Sequence, residues 1–173
     1  MIEGKATALK NGRSVRILSY TPRDKEGLVK MYADLSQESL RWSMPPYDRQ
    51  RIERWTSNLE NNIILLALDK ERIVGHLQVS IATNPRFRGI GELFIYIHQD
   101  FQNVGLGSAL IMEGILLSRK RGLHRIELSV VVDNHAGVHL YEKVGFQKEG
   151  VKRQNYLGED GNYHDEFVMG ILL

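Results

Sequence analysis

The residues best placed to do chemistry form a glycine-rich turn near the middle of the chain. An apolar run at 93 to 97 precedes this turn, a stretch with helical character follows it, and its sequence is Gln102-Asn103-Val104-Gly105-Leu106-Gly107. Glycines let the backbone approach a ligand closely, and the first amides of a helix lack partners within the helix. This placement predicts a site for a phosphate or pyrophosphate, and therefore a phosphorylated cofactor.

Two well-known nucleotide-binding motifs do not fit this turn. A dinucleotide-binding fingerprint has a third glycine where this chain has Leu110, and it normally lies in the first βα unit. Glu127 follows about 20 residues later, where a ribose-binding acid is sought, but it lies near the start of its predicted strand. A P-loop needs Lys-Ser or Lys-Thr after the second glycine. On its own, the turn is also compatible with a tight loop that binds nothing.

A second segment places an asparagine and a tyrosine on one predicted helix. Asn134 follows a strand and suits a helix N-cap, and Tyr141 lies two turns along the same face, about 10 Å away. Both side chains can therefore serve one groove. A phenol near a sulfur leaving group can act as a general acid. The alternative is that Tyr141 only packs beside Val138 and Val144.

Composition predicts one soluble domain over residues 1–173, since 42% of the 173 residues are hydrophobic and 25% are charged. No apolar stretch approaches the about 20 residues of a membrane helix, and the polar start lacks the apolar middle of a secretory signal. We therefore expect a cytoplasmic protein. The chain has no cysteine, so disulfides and thiolate nucleophiles are excluded. A net charge of +2 with dispersed basic residues predicts no nucleic-acid partner.

The hydrophobic pattern alternates between β and α elements. Strands are predicted at 13 to 18, 63 to 68, 73 to 81, 92 to 97, 125 to 132, 146 to 156 and 163 to 172. Helices are predicted at about 21 to 35, 48 to 60, 105 to 120 and 134 to 144. This order, β-α-α-β-β-β-α-β-α-β-β, predicts an α/β (α+β) fold with a mixed, mostly antiparallel sheet flanked by helices.

Taken together, these motifs resemble those of the GNAT family of N-acetyltransferases, over nearly the whole chain. The turn at 102 to 107 is similar to the family signature Gln/Arg-x-x-Gly-x-Gly/Ala for acetyl-CoA. The segment at 134 to 146 is similar to its second block, Asn-x-x-Ala-x-x-x-Tyr-x-Lys-x-Gly-Phe. The tail at 149 to 165 resembles the branch of ribosomal-protein-alanine, polyamine and amino-acid acetyltransferases.

The resemblance implies an acetyl-CoA-dependent N-acetyltransferase that needs no metal. The acceptor would be a primary amine (a small amine, an amino acid, or a peptide or protein N-terminus), attacking directly in a ternary complex. The fourth and fifth predicted strands would splay apart to admit the cofactor. A rival interpretation is a non-catalytic acyl-CoA-binding sensor or regulatory domain. Relatives are commonly dimeric, so the C-terminal strands could form a homodimer.

The resemblance also implies roles for individual residues. Tyr141 would protonate the departing thiolate, and the backbone amide of Ile97 would hold the oxyanion. Glu92 is the candidate base, either through water or by holding a cationic amine, although a strand-start glutamate is commonly a solvated charge. His98 is the fallback base, but its position near the turn favours cofactor contact or simple exposure. The expected cofactor-binding residues are Ile95, Tyr96, Ile97, Gln102, Asn103, Val104, Gly105, Leu106, Gly107, Ser108, Asn134, Tyr141 and Lys143.

The chain departs from the family pattern before the first glycine. Asn103-Val104 replaces a basic pair that is frequent there, so the phosphate site lacks one side-chain cation. Gln99 likewise stands where a proline often follows the strand.

Two further expectations concern metal and acceptor. His135 and His139 have a spacing that suits two metal ligands, but no glutamate follows His135 and no third ligand is nearby, so we expect exposed helix positions. The acceptor pocket is expected between the first two helices, including Trp42 and Tyr47, and the Glu92 end of the central strand.

Overall fold

A computed structural model describes residues 4–173 of the chain. Its strands are β1 (Lys5–Ala8), β2 (Ser14–Ser19), β3 (Asn62–Asp69), β4 (Arg72–Ile81), β5 (Ile90–Ile97), β6 (Arg125–Val131), β7 (Gln147–Leu157) and β8 (Tyr163–Leu172). Its α-helices are α1 (Lys25–Ala33), α2 (Gln37–Leu40), α3 (Arg49–Thr56), α4 (Leu106–Lys120) and α5 (His135–Val144). Short 3₁₀ turns lie at Pro22–Asp24, Pro85–Phe87 and Gln99–Phe101.

The eight strands form one sheet in the order β1-β2-β3-β4-β5-β6-β8-β7. All neighbours are antiparallel except β5 and β6, whose parallel pairing runs only from Ile90↔Arg125 to Glu92↔Glu127. Beyond Glu92 the two strands no longer pair, while β8 stays paired with β6 up to Val131↔Glu166. The predicted sheet and its splay between the fourth and fifth predicted strands are therefore confirmed.

Helices cover both faces of the central strands. Helix α4 buries Leu110 and Ile111 on one face, whereas α1 and α3 bury Leu28 and Ile52 on the other. Strand β3 is a nearly continuous apolar run, and β4 is buried from Ile73 to Val79, because neither face of these strands meets water. On β5, side chains alternate, so Leu93 joins the α4 core and the next residue, Phe94, joins the opposite one.

Local signals explain why the two helices beside the splay begin where they do. Gly105, with φ +91°, precedes α4 in a left-handed conformation that glycine adopts without strain. Asn134 caps α5, since its side-chain oxygen accepts a hydrogen bond from the Gly137 N–H at 3.0 Å. Gly145, with φ +112°, ends that helix. The predicted bounds of both helices are confirmed to within one residue.

One strand and one α-helix of the structure were not predicted from the sequence. Strand β1 has four residues, none of them fully buried, so its side chains carry no clear alternation. Helix α2 is a single turn capped by Ser36, in the segment between the first two predicted helices. Both are too short for hydrophobic periodicity to reveal them. The predicted first helix also begins as the 3₁₀ turn Pro22–Asp24 rather than as α-helix.

Candidate active site

The splay between β5 and β6 opens into a crevice of about 890 Å³. One end is lined by the C-terminal half of β5, the turn at 102 to 108 and the start of α5; we call it the turn end. The other end is lined by Trp42, Tyr96 and Tyr156 together with the loop after α2; we call it the aromatic end. Gly105 and Gly107 both line the crevice.

The backbone of the turn forms a concave row of N–H groups. Asn103 (φ +59°) and Gly105 (φ +91°) are left-handed, and alternation of such residues points successive N–H groups inward. No backbone N–H from 103 to 108 donates a hydrogen bond to any residue between 4 and 173. Free donors at the start of the 15-residue helix α4 suit an anion, so the turn fits a diphosphate.

Several side chains of the turn fix its position by packing into the core or by hydrogen bonding to β5. Leu106 is fully buried and Val104 packs against the same core, so only their main chains are available to a ligand. Gly107 lies so close to α5 that an added Cβ would meet Leu140 at 2.9 Å. The Gln102 amide donates to the Ile97 carbonyl at 3.1 Å, which links the turn to β5.

Strand β5 presents an open main-chain edge to the crevice. Ile90 and His98 bond backbone groups on the β4 side, at 2.9 Å in each case. Because successive residues of a strand point their N–H and C=O groups to opposite sides, Ile95 and Ile97 direct theirs toward the splay. Tyr96 instead directs its main chain toward β4 and contributes its side chain to the crevice.

Asn134 and Tyr141 both line the crevice, as predicted. The Asn134 side-chain oxygen is used by the helix cap, which leaves its NH₂ group for a ligand. The Tyr141 ring packs against Phe146 at 5.8 Å between centroids, and its hydroxyl has no hydrogen-bond partner in the described part of the chain. Burial raises the pKa of Tyr141 to about 12, so the phenol stays protonated at neutral pH.

Lys143 and Ser108 also line the crevice, on α5 and α4. All the residues predicted to bind the cofactor, apart from buried Leu106 and the core-packed Val104, therefore line the crevice, and all of these except Tyr96 lie along its turn end. His135 and His139 lie on exposed positions of α5 beside it.

The two candidate bases lie elsewhere. Glu92 is exposed opposite Ser80 and Glu127, in the segment where β5 and β6 are still paired, and the crevice lining begins one residue later at Leu93. His98 is 1% exposed and does not line the crevice. Its Nδ1 accepts from the Asp100 N–H at 3.2 Å, so it caps the 3₁₀ turn that follows β5. The expectation of an exposed or cofactor-contacting His98 is wrong, because its ring is held beneath that turn.

The aromatic end differs from the predicted acceptor pocket. Trp42 lines the crevice, but Tyr47 packs its ring against Tyr32 at 4.9 Å and hydrogen-bonds the Tyr96 hydroxyl. Tyr47 therefore supports the wall instead of forming it. Burial raises the pKa of Tyr96, so its hydroxyl stays neutral.

Sequence reasoning missed Tyr156, which holds the loop after α2. Its hydroxyl donates to the carbonyls of Ser43 at 2.7 Å and Arg41 at 3.1 Å, across more than 110 positions of sequence. The Arg41 guanidinium lies over the Trp42 ring at 5.0 Å and lines the crevice. Glu166 lines it too, from β8. No motif marks these residues, because each depends on long-range packing.

His164 supports Trp42 from behind, with ring centroids 5.1 Å apart. Its Nδ1 lies 2.7 Å from the Asp133 carboxylate and its Nε2 lies 3.2 Å from that of Asp160. These hydrogen bonds raise the pKa of His164, Asp133 contributing most. The pKa of Asp160 is lowered chiefly by hydrogen bonds from Asn162 and, to a smaller extent, by the contact with His164. His164 thereby joins the β7–β8 turn to the loop before α5.

Two kinds of feature are absent from the described residues. Residues 4–173 contain no group of three or more His, Cys, Asp and Glu side chains arranged to bind a metal ion. None of the helices in that range combines the length and the apolar character required to cross a membrane.

Comparison with known proteins decides among the candidate ligands. Residues 28–146 match the model of the acetyltransferase (GNAT) family. The chain belongs to this family. The L-amino acid N-acetyltransferase AaaT of Escherichia coli (strain K12) is 29% identical over 149 residues, a match that covers 85% of this chain and 91% of that protein.

Solved structures of other proteins have the same fold. A GNAT acetyltransferase from Streptococcus pneumoniae is 31% identical with a TM-score of 0.79, over 92% of this chain and 99% of that one. The Salmonella typhimurium protein yncA, solved with its cofactor acetyl-CoA, has a TM-score of 0.79 at 20% identity, over 92% and 94% of the two chains. These structures show that the chain has the GNAT fold. Its membership of the acetyltransferase family makes it an acetyl-CoA-dependent N-acetyltransferase.

Proposed function

We propose that the turn end of the crevice holds acetyl-CoA and that the aromatic end holds a free amino acid. The unpaired N–H groups from 103 to 108 carry this proposal, because they form the anion site that a coenzyme A diphosphate requires. The main chains of Ile95 and Ile97 and the NH₂ group of Asn134 would bind the pantetheine arm. Lys143 would approach a phosphate from α5.

The bound cosubstrate supplies an acetyl group already activated as a thioester. Tyr141 donates its phenolic proton to the sulfur as the C–S bond breaks, and the N–H group of Ile97 holds the negative charge on the carbonyl oxygen. A tyrosine with a pKa of about 12 remains a proton donor throughout the physiological pH range. These roles are supported by the shared crevice and by the unpartnered hydroxyl of Tyr141.

The acceptor must lose a proton before its nitrogen attacks. Glu92 stays our proposed base, acting through water along the sheet face that it shares with Phe94 and Tyr96. Its exposed position permits water to reach it. Glu166 is a second carboxylate that lines the crevice directly. The variant Glu166→Gln is therefore the matched comparison for Glu92→Gln. Glu92→Gln is expected to lower kcat about 100-fold, and an unchanged kcat would transfer the role away from Glu92.

The charges of the aromatic end suit a zwitterion. Arg41 has no ion-pair partner among the described residues, and its planar guanidinium is suited to bind a carboxylate with two hydrogen bonds. Glu166 offers a carboxylate for the ammonium group before it is deprotonated. The similarity to AaaT supports the same acceptor class, and a peptide N-terminus is the alternative.

A screen that follows coenzyme A release tests this acceptor class. We expect turnover with free amino acids and much less with the amines that lack their carboxylate. Arg41→Gln should raise the amino-acid KM roughly 10-fold, since it removes a charge-assisted hydrogen bond. It should leave the KM for a decarboxylated amine unchanged. Arg88→Gln, outside the crevice, is the control. Equal effects on both acceptors would contradict the carboxylate role.

We also expect a cytoplasmic location, no nucleic-acid partner and a homodimer. Strand β7 supports the last, since it is an edge strand with almost every residue exposed.

A further inference from the structure

The N-terminal hairpin is docked onto the phosphate-binding turn. The Lys10 N–H, in the connection between β1 and β2, donates to the Val104 carbonyl at 3.0 Å. The Arg13 guanidinium lies 5.1 Å from the centroid of the Phe101 ring, just before the turn. Leu9, which directly follows β1, is buried in the core beneath α4. The connection is therefore fixed against the turn by main-chain, cation–π and apolar contacts.

This docking places one charged side chain at the crevice. Lys10 lines the crevice beside Asn103 and Gly105. Its methylene carbons lie 3.7 to 4.0 Å from where a Cβ on Gly105 would stand, so the aliphatic stem covers the glycine. Lys10 is exposed and forms no ion pair with any residue that the structure describes. Its ammonium group is therefore available to a ligand.

The turn itself carries no cation. Asn103 and Val104 are uncharged, so the turn offers a diphosphate only main-chain donors. Among the residues that line the crevice, the lysines and arginines are Lys10, Arg41 and Lys143. Arg41 belongs to the aromatic end, and Lys143 approaches from α5. Lys10 is the cation that lies against the turn.

We propose that Lys10 binds a phosphate group of acetyl-CoA and replaces the missing basic side chain of the turn, which makes the N-terminal hairpin part of the cofactor site. The inference rests on the proposed function, since it requires the phosphates of coenzyme A at the turn end. A compact ammonium on a flexible stem acts as a point charge toward phosphate. Salt therefore weakens its contribution.

Calorimetric titration with coenzyme A at low and high salt tests the proposal. Lys10→Met keeps the aliphatic stem over Gly105 and removes only the charge. We expect its Kd to rise roughly three- to ten-fold at low salt, as for a lost charge-assisted hydrogen bond. The difference from the parent protein should shrink at high salt, whereas a purely structural defect would persist there. Lys10→Arg should restore most of the affinity.

Lys30→Met is the matched control, because it removes one exposed lysine charge on α1 outside the crevice. Its Kd should equal that of the parent at both salt concentrations. The inference is overturned if Lys10→Met binds coenzyme A like the parent, or if its defect is the same at both salt concentrations. A parent protein that binds no coenzyme A would instead refute the proposed function.

Discussion

The turn end of the crevice consists largely of main-chain groups from one short segment, whereas the aromatic end consists of side chains from several distant elements. At the turn end, N–H groups from 103 to 108 and the edge of β5 need only the correct backbone path. At the aromatic end, Trp42, Tyr96, Tyr156 and Glu166 come together from the loop after α2, β5, β7 and β8. The first end can bind a constant cofactor, while the second can vary with the acceptor.

The two ends also respond differently to substitution. A main-chain donor is lost only on substitution by proline, so the turn end is sensitive chiefly at residues that fix its backbone. The aromatic end depends on contacts such as the Tyr156 hydroxyl to the Ser43 carbonyl at 2.7 Å. Substitutions should therefore separate cofactor binding, acceptor binding and chemistry.

The largest effect is expected at Tyr141 on α5. Tyr141→Phe removes the proposed general acid and should lower kcat by roughly 100-fold or more. Steady-state kinetics should show little change in the KM of either substrate, and calorimetry should show unchanged coenzyme A binding. Full activity in the variant would leave Tyr141 with only a packing role.

The pH dependence gives a second view of the same residue. Because burial raises the pKa of Tyr141 to about 12, its protonated form persists up to that pH. The kcat profile should therefore show no loss from tyrosine ionisation between pH 7 and about pH 10, two units below that pKa. A fall in kcat centred near pH 10 that disappears in Tyr141→Phe would contradict the raised pKa.

An intermediate effect is expected at the turn. Gly105→Ala forces a residue with a Cβ into φ +91° and should cost about 1–2 kcal/mol of stability. It should also raise the coenzyme A Kd roughly 10-fold, because the N–H row loses its orientation. Gly122→Ala, with φ +78° at the other end of α4, is a matched control for strain. If both variants lose affinity equally, the turn has no special role.

The smallest effect is expected behind the aromatic end. The pKa of His164 is raised in the folded state, mainly by the hydrogen bond with Asp133. The charged His164 therefore stabilises the fold fully at pH values below its unfolded-state pKa, and this contribution disappears as the pH rises through its folded-state pKa. His164→Asn should therefore lose more stability at pH 5.5 than at pH 9, as measured by urea unfolding. A loss that is independent of pH would show that the charge of His164 contributes nothing.

The sequence predicted the turn end well and the aromatic end poorly. The reason is that the turn end depends on local backbone signals, whereas the aromatic end depends on long-range side-chain contacts. Gly105, Asn134 and Gly145 are local signals, since each fixes a backbone angle or a cap within a few residues. Tyr156 and Arg41 meet only after β7 has paired with β8 and the loop after α2 has packed on them. Such contacts leave no periodic or motif pattern in a single sequence.

His98 and the N-terminal hairpin also show that a single sequence does not reveal tertiary contacts. A histidine at the end of a strand looked available for chemistry, yet tertiary contacts bury it to 1% exposure. The turn appeared to lack a cation because Lys10 lies more than 90 residues away in the chain. Only the pairing of β1 with β2 and the docking of their connection bring Lys10 to Gly105.

Backbone amide NMR during titration with coenzyme A tests the central claim most directly. The free N–H groups from 103 to 108 should show the largest shifts and become protected from hydrogen exchange, because they bind the diphosphate. Amides of the loop after α2 should shift little until an amino acid is added. Saturable binding that leaves the amides from 103 to 108 unshifted, or no binding by folded protein, would contradict the account.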